Sequence, residues 1–156
     1  GQAILLTGPV GGSLLGRHLR IEPRIELGRL LFEAGATAMM DVSDGLAWDL
    51  FRLARTSRVR FEVQEVPVHR DARRRSRLTG SSALWHALHD GEDHELIATL
   101  PQAAWARLEL RGLGLHRIGS VRKGSGLLLS TGSDPGASLR TWRPDRDRGG
   151  WRHGQR

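Results

Sequence analysis

Two short acidic stretches hold the residues whose types and spacing could do chemistry. Met40-Asp41-Val42-Ser43-Asp44-Gly45-Leu46 puts two carboxylates and a hydroxyl within four positions, and Asp90-Gly91-Glu92-Asp93-His94-Glu95-Leu96 follows some fifty residues later. Hard oxygens gathered at the end of an apolar run suit magnesium on a nucleotide phosphate. That ion takes few protein carboxylates and keeps positions for phosphate oxygens and water. Asp41 and Asp44 repel each other unless a cation or proton lies between them. A local alternative stands beside this reading, in which Asp44 caps the next helix and Ser43 supports the turn. The second stretch reads either as a solvated acidic turn or as a point of close ligand approach at Gly91, which tolerates unusual dihedrals.

Other motifs are weaker. Gly8-Pro9-Val10-Gly11-Gly12 has the look of a phosphate loop but lacks the Gly-Lys-Ser/Thr ending, so it reads as a turn. The seven histidines show no zinc-like spacing. With no cysteine, disulfides, thiolate metal sites and cysteine nucleophiles are excluded, which fits a cytoplasmic protein.

The elements that must position these groups follow from periodicity and punctuation. The apolar run from Gln2 to Thr7 predicts a buried strand, and Pro23 to Ala34 a helix with Pro in its first turn. Thr37 to Asp41 predicts a second strand. Leu46, Leu50, Leu53 and Ala54 form one face of a helix for which Asp44 is the expected N-cap. Arg58 to Val66 alternates as a half-exposed strand. Pro67 to Ser82 is polar, basic and without clear period, so a connection or insertion is expected there. A short helix over Ala83 to His89, a strand over His94 to Leu100 and a helix over Gln102 to Leu110 follow. His116 to Arg122 and Gly126 to Ser130 predict a hairpin around Lys123-Gly124-Ser125. Strands and helices alternate imperfectly, which points to an α+β fold, a mixed β-sheet covered by helices. Residues 1–133 are expected to form the domain and 134–156 a loose tail, apart from Trp142 and Trp151.

At 156 residues with 38% hydrophobic content, the chain fits one domain with a real core. No apolar run reaches the roughly 18 residues of a membrane span. The N-terminus lacks an initiator Met and a basic segment, so it reads as no signal peptide, and the chain is expected to be cut from something longer. The net charge of +7 comes almost wholly from arginines that are scattered except at Arg73 to Arg77. Scatter of that kind argues against nucleic acid as the partner, since a positive field alone gives only non-specific phosphate attraction.

In their order, these motifs resemble the C-terminal domain of thiamine-monophosphate kinases. The opening Gly1-Gln2-Ala3-Ile4-Leu5-Leu6-Thr7-Gly8-Pro9-Val10-Gly11, Pro23-Arg24 with Gly28, and Ala38 to Leu46 with Asp49-Leu50 are similar to that family's elements. Asp90 to Leu96 is similar to its Gly-Gly-Glu-Asp-Tyr-Glu-Leu signature, with Asp90 in place of a glycine and His94 in place of a tyrosine. Ile118-Gly119 and Gly150-Trp151-Arg152-His153 look like its closing elements. The resemblance implies the α/β/α fold of the AIR synthase-related superfamily and ATP-dependent phosphorylation of thiamine monophosphate to thiamine diphosphate. It also implies that Asp41 and Asp44 bind magnesium, Ser43 contacts ATP, and Glu92 and Trp151 contact the thiamine substrate. An N-terminal domain not contained in this chain would supply most magnesium-binding aspartates, much of the ATP site and a homodimer interface. The isolated chain is therefore expected to be inactive. Two alternatives stay open: another ATP-using member of the superfamily, and a non-catalytic basic domain that binds an anionic partner.

Overall fold

Strand β1 (Gln2–Leu6) sits in the middle of the sheet, and Ala3, Ile4, Leu5 and Leu6 have no exposed surface. Successive side chains of a strand point to opposite faces, so an unbroken apolar run needs cover on both sides. It has it. In this computed structural model, which describes residues 1–130 and 138–147, Ile4 and Leu6 join one core and Ala3 and Leu5 a second. Each large aliphatic buried this way contributes about 1.5–3 kcal/mol.

The other elements are α1 (Ile25–Glu33), β2 (Ala38–Asp41), α2 (Leu46–Thr56), β3 (Arg60–Val63), α3 (Arg70–Thr79) and α4 (Ala83–His89). They continue with β4 (Leu96–Pro101), α5 (Gln102–Glu109), β5 (His116–Arg122), β6 (Gly126–Ser130) and β7 (Leu139–Trp142). Among the described residues, the seven strands run in the order β2-β4-β1-β5-β3-β6-β7, and every pairing is antiparallel except β3 with β6. Leu46, Ala47 and Leu50 of α2 and Ala87 of α4 cover one face, while Leu31 of α1 with Trp105 and Leu108 of α5 cover the other. This is the expected mixed sheet between helical layers. Among the described residues no helix is long and apolar enough to cross a membrane.

Three local expectations need correction. β5 and β6 form no hairpin, because β3 lies between them. Phe61 and Val63 of β3 are 1% exposed, and only an interior slot buries them against Ile118 and Leu127. The link Lys123-Gly124-Ser125 must then cross two inter-strand spacings, about 10 Å, which three residues can span. Gly119 of β5 has no room for a Cβ against the Glu62 carbonyl, so β3 approaches there as closely as backbone allows.

The second correction concerns 67–82, where α3 is an ordered ten-residue helix. Arginine is a good helix former. His69 accepts the Asp71 N–H at 3.1 Å as an N-cap, and Gly80 (φ +77°) closes the far end. Only Ala72 is buried, and the packing is polar. Arg75 lies 3.4 Å from Asp90, and Thr79 Oγ1 lies 2.7 Å from His86 Nε2. A helix held this way leaves no apolar period to read.

The third concerns the stretch expected to be a tail. Leu139–Trp142 pairs with β6, and Trp142 is 2% exposed, with its ring 5.2 Å from Phe51 and 6.0 Å from Trp48.

Candidate functional site

β2 and β4 are antiparallel neighbours with Asp41 opposite Leu96, and their pairing runs on past both strand ends. Val42 donates to the Glu95 carbonyl (2.8 Å), His94 to the Val42 carbonyl (2.9 Å) and Glu92 to the Ser43 carbonyl (2.8 Å). The two acidic stretches are therefore hydrogen-bonded side by side. Gly91 (φ +73°) makes this possible, because a Cβ there would lie 2.5 Å from the Ser43 carbonyl oxygen. Glu92 (φ +55°) and His94 (φ +54°) also occupy the left-handed region, at about 1–3 kcal/mol each for residues with a Cβ. Strain of that size persists only where the surroundings impose it.

A third segment closes on the pair. Gly11 N–H donates to Asp93 Oδ1 (2.8 Å), Gly12 N–H to Asp90 Oδ2 (2.9 Å), and Ser13 Oγ to the Glu92 carbonyl (2.6 Å). Arg17 Nη2 reaches the same Asp93 oxygen at 2.6 Å. Asp90 and Asp93 are thus clamps for the glycine loop, with carboxylates 2% and 0% exposed. Burial pushes the Asp93 carboxyl up to about 6, against the opposing pull of Gly11 N–H and Arg17. Glu95 is buried as well. It accepts Thr7 Oγ1 at 2.6 Å and a two-pronged contact from Arg24 at 2.9 and 2.8 Å. Of the second stretch, Glu92 keeps a half-exposed carboxylate, 3.3 Å from His94 Nε2.

The Ser43–Asp44 turn is built differently from the cap that was expected. Gly45 (φ +115°) takes the N-cap position of α2 and Asp44 caps nothing. Asp49, inside the first turn, folds back so that its Oδ2 accepts the N–H groups of Ser43 (3.0 Å) and Asp44 (3.1 Å). This frees the Asp44 carboxylate, which pairs with Arg52 Nη1 at 2.6 Å. The same guanidinium is 3.6 Å from Asp49 Oδ1, a buried oxygen with no hydrogen-bond partner among the described residues. Burial pushes the Asp49 carboxyl up to about 6, with the two N–H groups opposing.

The structure therefore brings Ser43, Asp44 and Glu92 to one edge, with Asp41 exposed at the end of β2. Among the described residues no three His, Asp or Glu side chains are grouped to hold a metal ion. Trp151 lies outside the described residues. A cleft of about 440 Å³, lined by Gln64, Val66, Arg73, Leu84 and Leu129 among others, contains none of the expected site residues. At the acidic edge Asp41 is exposed, and Ser43, Asp44 and Glu92 are half-buried. Asp49, Arg52 and Arg17 were not anticipated as parts of it. Asp49 had a visible signal, an acid within the apolar stripe of Leu46, Ala47, Leu50 and Ala54.

No family model matches the chain. The thiamine-monophosphate kinase of Rhodopirellula baltica is 40% identical over 132 residues, spanning 81% of this chain and 42% of that enzyme. The crystal structure of thiamine monophosphate kinase from Aquifex aeolicus superposes with a TM-score of 0.72 at 28% identity, covering 83% of this chain and 50% of that one. A solved structure of AaThiL complexed with AMPPCP and TMP gives 0.62 at 26% identity, covering 83% and 47%. The chain spans about half the length of the relatives it matches. By sequence and fold together, it belongs with the thiamine-monophosphate kinases, as a chain like their C-terminal domain.

Proposed function

We propose that this chain supplies one half of an ATP-dependent kinase that converts thiamine monophosphate to thiamine diphosphate in the cytoplasm. A phosphate oxygen of the substrate attacks the γ-phosphorus of ATP, the bridging P–O bond breaks, and ADP departs with the electron pair. The observation that supports this reading is the direct hydrogen bonding of the Ser43 turn to the Glu92 segment, which brings Ser43 and Glu92 to one edge. The relative bound to AMPPCP and TMP supports the same pair of ligands here. Catalysis of this kind is mostly positioning and electrostatics.

The residues fit magnesium in part. Asp44 already holds a cation, the Arg52 guanidinium, and Asp41 is exposed beside the turn. These two would hold the ion, which when bound would neutralise charge on the phosphate oxygens. Two carboxylates leave most of its positions to phosphate, water and other segments. Ser43 would contact the nucleotide, and Glu92 and Trp151 the thiamine moiety. An N-terminal domain would complete the ligand set and the dimer. The rigid parts of this edge are the residues that orient it: Asp49 under the turn, and Asp93 and Arg17 under Glu92.

A chimera tests the reading directly, with this chain replacing the matching portion of the Rhodopirellula baltica relative. Thiamine diphosphate should form in the chimera and fall at least tenfold with Asp44→Asn. The 156-residue chain alone should give none. A folded chimera without product, or turnover by the chain alone, contradicts it.

One observation favours a second reading. Arg70, Arg73, Arg74 and Arg77 are exposed on α3, and none has an ion pair among the described residues. A strip of this kind suits an anionic partner. Binding to RNA that falls steeply with salt, and is indifferent to Asp44→Asn, would support that reading over the kinase one.

A further inference from the structure

We propose that the pocket between α4, β6 and β7 binds a small planar heteroaromatic ring, at a place apart from the nucleotide of the proposed function. The pocket holds about 280 Å³ and is lined by Trp85, Leu88, His89, Leu129, Arg140 and Trp142 among others. That is close to the lower end of small-molecule sites and suits a one- or two-ring guest. α4 sets Trp85 and His89 one turn apart, on the same side of the helix. Leu129 and Arg140 stand opposite each other across β6 and β7, and Trp142 is two residues on from Arg140, so all three share one face of the sheet. None of Asp41, Ser43, Asp44 or Glu92 lines this pocket.

Two buried polar groups on these walls lack partners. His89 is 6% exposed, and its imidazole makes no hydrogen bond or ion pair among the described residues. Burial holds its pKa below the ordinary 6.5, against the pull of Asp147 and Asp90, so the ring is neutral at pH 7 and offers one N–H and one lone pair. The Trp142 indole N–H is likewise buried, with no acceptor among the described residues. Buried polar groups are nearly always hydrogen-bonded, so two unmet ones on the walls of one small pocket mark a place for a further molecule. Water alone would meet the polar need. The aromatic walls decide for a ring. Trp85 is 41% exposed, its centroid 5.1 Å from that of His89, and a planar guest can stack on such a face. His89 and Trp142 then require that the guest carry ring nitrogen or an amine, as an aminopyrimidine does.

The test titrates the ¹⁵N-labelled 156-residue chain with 4-aminopyrimidine and with toluene, an apolar ring of similar size, and follows the indole N–H signals of Trp85 and Trp142. 4-Aminopyrimidine should move both signals at millimolar concentration, and toluene should bind at least about threefold more weakly. His89→Phe keeps an aromatic wall and removes the hydrogen bond. It should weaken 4-aminopyrimidine about fivefold, the worth of one neutral hydrogen bond, and leave toluene unchanged or tighter. Dispersed spectra certify the variant as folded, and the comparison of the two probes on the wild type stands without it. Mg-AMPPCP should leave the 4-aminopyrimidine shifts in place. Indole signals that never move, toluene binding as tightly as 4-aminopyrimidine, or equal 4-aminopyrimidine affinity in wild type and His89→Phe overturn the site. Displacement by Mg-AMPPCP overturns its separateness and gives the pocket to the base of the nucleotide.

Discussion

Replacing Asp93 with asparagine should change how stability responds to pH, and the structure gives the size of the change. The Asp93 carboxylate is 0% exposed and held by Gly11 N–H and Arg17, yet burial lifts its pKa from the ordinary 3.8 to about 6. The folded value lies above the unfolded one, so between these values the native state holds more protons than the unfolded state. Stability from this group is full below pH 3.8 and is lost as pH rises through 6. At 1.36 kcal/mol per unit, the ionised carboxylate costs about 3 kcal/mol at pH 7 and about half that at pH 5. The asparagine of Asp93→Asn does not titrate, and its unpaired amide adds a cost that is independent of pH. Urea unfolding of both proteins, followed by tryptophan fluorescence at pH 5 and 7, isolates the difference. Wild type minus Asp93→Asn should be more favourable to wild type at pH 5 than at pH 7, by roughly 1 kcal/mol. A flat difference, or one of opposite sign, would refute the claim that this clamp is a buried acid carrying its charge at a loss.

Three further outcomes follow from the packing. Gly91→Ala should push Ser43 away from the Glu92 segment, lowering the Tm and weakening nucleotide binding together, so an unchanged calorimetric titration with Mg-AMPPCP would contradict the arrangement. Arg24→Met strips a two-pronged partner from buried Glu95 and should cost about 2 kcal/mol in urea unfolding; a loss under about 0.5 kcal/mol would contradict it. Trp142→Ala removes a buried ring packed on Trp48 and Phe51 and should cost about 3–5 kcal/mol, with the loss appearing in the same transition as the rest of the sheet.

Where packing repeats with a period, the sequence was legible. The unbroken run of β1, the stripe Leu46, Leu50 and Ala54 on α2, and the strand ending at Asp41 all stand where their patterns put them. Where polar contacts or distant pairing decide, it was not. α3 is fastened through Arg75 to Asp90 and Thr79 to His86, contacts that no hydrophobic period announces. β3 enters between β5 and β6 from some sixty residues away, which a local hairpin reading cannot see. At the site, the types of Asp41, Ser43, Asp44 and Glu92 were visible, but their partners were not. Asp44 looks like a cap in one dimension, and only the fold shows Asp49 taking the backbone N–H groups and Arg52 taking the carboxylate. Asp90 and Asp93 likewise read as free acids until the Gly11 loop is seen lying on them.

The proposed function puts the nucleotide at the acidic edge, and the 440 Å³ cleft beside Arg73 is the alternative place for it. Mapping amide shifts of this chain on addition of Mg-AMPPCP separates them most directly. Perturbations concentrated at 43–45 and 91–94 are the predicted result. Perturbations concentrated at Val66, Arg73 and Leu84, with Ser43 and Glu92 unmoved, would contradict the account.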